Sequence, residues 1–196
     1  MSFRVTPVRD AQDLATIGEL FREYADRLDI DVAFQGFEEE LARLPGRYAP
    51  PPGDLLLARS DGGEALGCIG LRPLGLPGAC EVKRLYVRAA ARGRGVGRAL
   101  ARSVVELAEA LGYREMLLDT LPSMTSAIAI YRALGFEPIP PYGKNTVPGL
   151  LYFALFRQTA FWQTARGRLS QFGAQAAPST RSTRPREAAW RIFSAV

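Results

Sequence analysis

The residues best able to do chemistry in this sequence lie between Glu81 and Leu100. Glu81-Val82-Lys83-Arg84-Leu85-Tyr86-Val87 mixes β-branched and aromatic side chains and predicts a strand. After Arg88–Ala91 comes Arg92-Gly93-Arg94-Gly95-Val96-Gly97-Arg98, and from there Val96, Leu100, Val104 and Leu107 fall three or four apart, which is helix spacing. Gly93, Gly95 and Gly97 take side chains away where strand turns into helix, so that a ligand can approach bare backbone. The unpaired N–H groups of the helix's first turn, at the positive end of its dipole, form an anion site. Arg88, Arg92, Arg94 and Arg98 add positive charge around it. The chemistry predicted is that of a phosphate cradle.

Two familiar cradles are excluded by residue type. A P-loop needs Lys and then Ser or Thr after its last glycine, and here Arg98-Ala99 follow Gly97. A dinucleotide fingerprint needs a third glycine where this chain has Arg98 or Leu100. The chain has no histidine, which removes a His base, a Ser-His-Asp triad and a His-ligated metal. Cys68 and Cys80 sit on predicted strands without metal-ligand spacing and read as reduced, buried thiols, with a disulfide as the lesser alternative. No metal is expected.

The elements that must position the cradle can be taken in order. Phe3–Val8 alternates like a first strand. Asp10 can cap the next helix, whose Leu14, Ile17, Leu20, Phe21, Tyr24 and Leu28 share a face. Phe37–Leu44 predicts a short acidic helix, with Glu38–Glu40 either a solvated face or an acidic rim for a cationic ligand. Leu55–Arg59 and Leu66–Leu71 read as strands joined by an Asp61-Gly62-Gly63 turn, ahead of the central strand. The helix from Val96 runs to about Leu111, with Gly112 as its stop. Glu115–Thr120 predicts a buried strand. A helix through Ile128, Tyr131 and Leu134 follows, capped by Ser123 or Ser126, then a rigid loop over 138–143 and a closing strand at Leu150–Phe156. This order implies an α+β (mixed α/β) fold: a sheet covered by helices.

The cradle matches Arg/Gln-x-x-Gly-x-Gly/Ala through Arg92, Gly95 and Gly97, and so resembles the acetyl-CoA pyrophosphate loop of the GCN5-related N-acetyltransferase (GNAT) family. The resemblance extends over roughly residues 3–157. Leu85-Tyr86-Val87 stands where that family's central strand offers backbone to the pantetheine arm and the acyl carbonyl. Ala127 through Phe136 resembles its second CoA-contacting helix, A-x-x-x-Y-x-x-x-GF. Met124 replaces the Asn that ribosomal-protein-type members carry seven residues before the tyrosine. The resemblance implies the GNAT fold, with a central, mostly antiparallel sheet flanked by helices. It also implies acetyl-CoA as co-substrate, bound by Leu85, Tyr86, Val87, Arg92, Gly93, Arg94, Gly95, Val96, Gly97 and Arg98.

The implied reaction moves an acetyl group to a primary amine of a small molecule or protein by direct attack. A lysine-like amine, with a pKa near ~10.4, must first lose a proton, and the thiolate must gain one. Glu81, six residues before Val87, has the spacing of the glutamate base in histone-type relatives; its structural alternative is an ion pair with Lys83 or an arginine. Asp119 is the second candidate base, with strand-end hydrogen bonding as its alternative. Tyr131 would protonate the thiolate, or else serve only as a core aromatic beside Leu134 and Phe136. Tyr48, Tyr142 and Lys144 are expected on loops flanking the cleft. A non-catalytic acyl-CoA-binding regulatory module is the alternative function.

Charge is uneven along the chain. Residues 158–196 hold six arginines against Glu187, so the net charge of +5 resides there and residues 1–157 are neutral. The chain thus divides into an acetyltransferase-like domain at 1–157 and a basic Ala/Ser/Arg-rich extension, partly helical or disordered, at 158–196. Its basic residues interleaved with aromatics allow nucleic-acid contact, but a flexible or partner-packing extension is the favoured reading and nucleic-acid binding is not expected of the rest of the chain. No apolar run reaches membrane-spanning length and Met1–Arg4 opens no signal-peptide core, so a cytoplasmic protein without membrane contact is expected. Homodimer formation is left open.

Overall fold

The computed structural model describes residues 2–28, 36–142 and 148–156. The helices and linker expected of the tail, the boundary at 157, and Lys144 lie outside the described residues. Within them the chain forms β1 (Phe3–Pro7), α1 (Ala11–Ala25), α2 (Phe37–Ala42), β2 (Asp54–Ser60), β3 (Ala65–Pro73) and β4 (Ala79–Val87). There follow α3 (Val96–Ala110), β5 (Glu115–Thr120), α4 (Thr125–Ala133), β6 (Glu137–Ile139) and β7 (Leu151–Phe156). The strands make one seven-stranded sheet in the order β1-β2-β3-β4-β5-β7-β6. Every pairing is antiparallel except the central one, β4 with β5.

Burial on both faces accounts for the nearly unbroken apolar strands. In β2, alternate residues go to opposite sides, as the strand period requires. Leu55 and Leu57 join Ile17, Leu20 and Phe21 under α1 and α2, while Leu56 and Ala58 join Val96, Leu100 and Val104 under α3. Asp10 caps α1 as expected, its carboxylate accepting from the Asp13 amide at 2.7 Å. Two expectations are corrected. Neither Ser123 nor Ser126 caps α4, whose N-cap position is Met124 with no side-chain cap. Residues 137–139, at the start of the expected loop, pair along β7 as a short edge strand, with Pro138 tolerated there because an edge leaves one side without a ladder.

Two irregularities set the geometry at the sheet's centre. First, the β4–β5 ladder contains only Ala79–Glu81 against Glu115–Leu117. Residues 82–87 continue alone on that side, so the sheet opens between the two strands. Second, Cys68 faces Tyr86 and Gly70 faces Lys83, leaving Arg84 and Leu85 both opposite Ile69. This is a β-bulge, and Arg84 takes the left-handed region at φ 60° to make it. The bulge bends β4 where it leaves β5. Gly67 permits the close approach there: a Cβ on it would lie 2.3 Å from the Tyr86 carbonyl oxygen.

Candidate active site

The opening between β4 and β5 is a cleft lined by Val82, Lys83, Arg84 and Leu85 on one side and Asp119, Thr120 and Leu121 on the other. Met124, Ala127 and Tyr131 of α4 close one wall, and Tyr24 and Leu28 approach from the α1 side. The opening therefore joins the two faces of the sheet.

Beyond the end of β4 the chain forms the arginine-glycine loop that leads into α3. Gly93 and Gly95 have φ of 73° and 82°, and nothing stands within 4 Å of where their Cβ atoms would be. Gly95 is the N-cap of α3 and provides no side-chain cap, so the first-turn N–H groups of the helix remain available to an anion. Val96 is buried and anchors the helix, while a Cβ added at Gly97 would lie 3.3 Å from the Ile130 side chain and 3.5 Å from that of Val87. Arg92 and Arg98 are exposed on this surface, and Arg92 Nε also donates to the Val87 carbonyl at 3.2 Å. Arg94 is exposed and donates to the Ala90 carbonyl at 3.4 Å. Arg88 departs from expectation: Glu23 holds it at 2.6 Å, so its charge is largely committed to that pair. Leu85 and Val87 pack toward α3 and α4. Tyr86 points to the α1 face, its hydroxyl donating to Glu23 at 3.2 Å.

On the α1 side a chain of alternating charges runs through the sheet centre. Glu40 of α2 accepts from Arg84 Nε at 2.9 Å and lies 3.6 Å from Arg72. Arg72 reaches Glu81 at 2.6 Å, Lys83 lies 3.3 Å from Glu81, and the same ammonium pairs with Asp119. Burial would raise the Glu40 carboxyl, but the Arg84 guanidinium outweighs it and holds the carboxyl below its ordinary range. Arg84 also lies 5.1 Å over the Phe37 ring, one of three aromatic rings around its guanidinium. Glu40 is thus a half-buried partner of Arg84 and Arg72 rather than a solvated face. Glu39, by contrast, forms an exposed pair with Arg43.

Both candidate carboxylates stand in this chain. Glu81, 5 % exposed, sits at the last rung of the β4–β5 ladder, and Tyr142 donates to it at 3.0 Å in addition to Arg72 and Lys83. Asp119 lines the cleft itself. Tyr131, 6 % exposed, packs its ring 5.5 Å from that of Phe136. Its hydroxyl has no hydrogen-bond partner among the described residues, and burial pushes its ionisation above the ordinary phenol value, with Tyr24 and Asp119 adding to the effect. Such a phenol stays in its acid form, with a proton to donate, across the neutral pH range.

Tyr48 does not flank the cleft. It is 1 % exposed, edge-on to Phe21 and hydrogen-bonded to Glu40 at 3.1 Å. Three participants had no signal in the sequence. Tyr24 fell on the apolar stripe of α1 with nothing to mark it as a cleft residue. Arg72 and Arg84 could be recognised only once α2 had brought Glu40 over the sheet. Cys68 and Cys80 are free and buried, and burial raises the Cys80 thiol to about 12, far from a nucleophile's range.

The family model for the acetyltransferase (GNAT) family matches residues 17–136. An uncharacterized N-acetyltransferase of Schizosaccharomyces pombe is 40% identical over 151 residues, covering 77% of this chain and 93% of that protein. A GNAT-family acetyltransferase structure from Staphylococcus aureus superposes with a TM-score of 0.66 at 18% identity, over 80% of this chain and 100% of that one. A Salmonella typhimurium protein described as an acetyltransferase, solved with its cofactor acetyl-CoA, gives 0.63 at 19%, over 82% and 97%.

Proposed function

The chain belongs to the acetyltransferase (GNAT) family, and on that premise we propose how its residues divide the work of moving an acetyl group from acetyl-CoA to a primary amine. The pyrophosphate rests on the loop Arg92–Gly97 and the first turn of α3, where N–H groups and dipole favour an anion. Arg92, Arg94 and Arg98 supply charge around it. The pantetheine arm then lies along β4 at Leu85, Tyr86 and Val87, whose backbone has no β5 partner. A backbone N–H near Val87 polarises the acyl carbonyl, and the thioester sits at the cleft between Tyr131 and Asp119.

The amine enters from the α1 and α2 side and attacks directly. Both buried thiols are unsuited to a covalent intermediate. Tyr131 gives its proton to the departing thiolate. Of the two carboxylates, Asp119 takes the amine's proton, directly or through water, because it lines the cleft. Glu81, which lies outside that lining, holds Arg72 and Lys83 in place and is the second candidate. The broken β4–β5 ladder supports this reading, since an opening there would let both substrates reach one point from opposite faces.

CoA release by thiol detection, against a panel of small amines, amino acids and basic peptides, tests it. Wild type would run beside Asp119→Asn and Glu81→Gln. The expected result is turnover with one acceptor class that drops about 10²-fold in Asp119→Asn and less in Glu81→Gln. The reverse order makes Glu81 the base. Acetyl-CoA binding without turnover on any acceptor would favour a non-catalytic acyl-CoA-binding module.

A further inference from the structure

We propose that Lys83 is an acceptor itself: with acetyl-CoA bound and no external amine in the cleft, the enzyme acetylates its own Lys83 and so limits its own turnover. The inference rests on the acetyl-CoA reading above. Lys83 lines the cleft together with Leu85, Asp119 and Tyr131. Its ammonium is held between the two carboxylates proposed for amine deprotonation, 3.3 Å from Glu81 and paired with Asp119. A substrate ammonium entering from the α1 side would need the same surroundings.

Residue type sharpens the point. Of 25 basic residues in the chain, 23 are arginine, and the neighbouring cations of the charge chain, Arg72 and Arg84, are among them. Guanidinium can hold a carboxylate but does not give up its proton to become a nucleophile. A lysine can, and a lysine stands at the cleft. Lys83 pairs through its ammonium with Glu81 and Asp119 at the end of a four-carbon stem that offers other rotamers.

In the proposed step the Nζ lone pair attacks the thioester carbonyl carbon. The N–C bond forms and the C–S bond breaks. Of the two protons the ammonium nitrogen sheds, one reaches the thiolate by way of Tyr131, and the other leaves through Asp119 to solvent. The products are acetyl-lysine, free CoA and one proton. Acetyl-Lys83 is neutral, so Asp119 and Glu81 lose their shared ammonium, and the added acetyl group occupies acceptor space.

The full chain incubated with acetyl-CoA alone, then weighed intact and mapped by peptide mass, tests the proposal. Lys144 is the only other lysine and serves as an internal control for uncatalysed acetylation. The expected result is one acetyl group at Lys83, Lys144 unmarked, and the mark lost in Tyr131→Phe. Preincubation with acetyl-CoA should then slow later turnover of the panel's best amine at least tenfold in wild type and leave Lys83→Arg without any time dependence. Equal marking of Lys83 and Lys144 overturns the proposal, and so does an unmarked Lys83 in a protein that calorimetry shows to bind acetyl-CoA. Failure to bind acetyl-CoA removes the underlying reading as well.

Discussion

Tyr131→Phe separates the two roles a buried tyrosine can have. The substitution deletes one oxygen, and among the described residues that oxygen has no hydrogen-bond partner. No donor or acceptor is left stranded, and the ring keeps its contact with Phe136 at 5.5 Å. Unfolding free energy should therefore stay within about 0.5 kcal/mol of wild type. A residue serving only as packing would show nothing more. As the acid that protonates the thiolate, its loss should lower kcat at saturating acetyl-CoA by about 10²-fold, the low end for general acids because a thiolate leaves readily, or about 2.7 kcal/mol. The urea midpoint and the rate of thiol release give the two numbers on one preparation. The pH profile gives a third. Burial, together with Tyr24 and Asp119, raises the phenol's ionisation, so its acid form persists to higher pH than a free phenol's. The wild-type rate should climb as the acceptor amine deprotonates and show no descending limb below about pH 10. An unchanged kcat at unchanged stability would refute the acid role, and a large loss of stability would refute the packing analysis.

Two further substitutions test the frame around the cleft. Glu40→Gln keeps the size and one acceptor oxygen but removes the charge facing Arg84 and Arg72. It should cost about 3–5 kcal/mol in urea unfolding, the range for breaking a buried pair, whereas a loss below about 1 kcal/mol would mean the pair behaves like a surface one. Because the folded Glu40 carboxyl is depressed, its contribution is present above the ordinary carboxylate range and lost as pH falls through the folded value. Wild type and variant stabilities should therefore converge in acid. Gly67→Ala would place its Cβ 2.3 Å from the Tyr86 carbonyl oxygen and 3.1 Å from the Val87 Cα, both backbone. It should destabilise by about 1–3 kcal/mol and weaken acetyl-CoA binding measured by calorimetry, since the shift falls on the cleft strand. Unchanged binding would disconnect the bulge from the cofactor site.

The turn from strand through the arginine-glycine loop into helix was legible because glycine and helix periodicity constrain local backbone, and the described α3 begins at Val96 as that periodicity requires. The sheet was legible for the same reason, with central strand and flanking helices close to their expected limits. What escaped was tertiary. Glu40 reads in sequence as one of three adjacent acids, yet Glu39 is exposed with Arg43 while Glu40 is half-buried against the buried Arg84. A helix one residue out of phase would exchange them. Tyr48 follows a run that turns the chain, and only the fold shows its ring lying over Gly70, where a Cβ would come within 2.6 Å of it. Tyr24 has the spacing of a core residue because α1 must bury Leu20 and Phe21 beside it. It lines the cleft only because the helix ends there.

The cleft also explains why so much charge is buried at the middle of an otherwise apolar sheet. A sheet that opens between two parallel strands leaves backbone and side chains of both without neighbours, and hydrophobic residues there would close the gap by collapse. Arg72, Lys83 and Arg84 alternate with Glu40, Glu81 and Asp119, so the cluster carries no net charge, and each partner restrains the next. The same balance weakens the idea of an acidic funnel for cations. An amine would be received by exchange, taking a carboxylate from Lys83 rather than filling an empty negative pocket. Such exchange favours acceptors that bring both charges, since a group able to pair with Lys83 while offering its own amine to Asp119 leaves no buried charge uncompensated. Free amino acids meet that description better than simple alkyl amines, and the acceptor panel ranks them directly: higher kcat/KM for a zwitterionic amine than for its decarboxylated counterpart supports the exchange, and the opposite order refutes it.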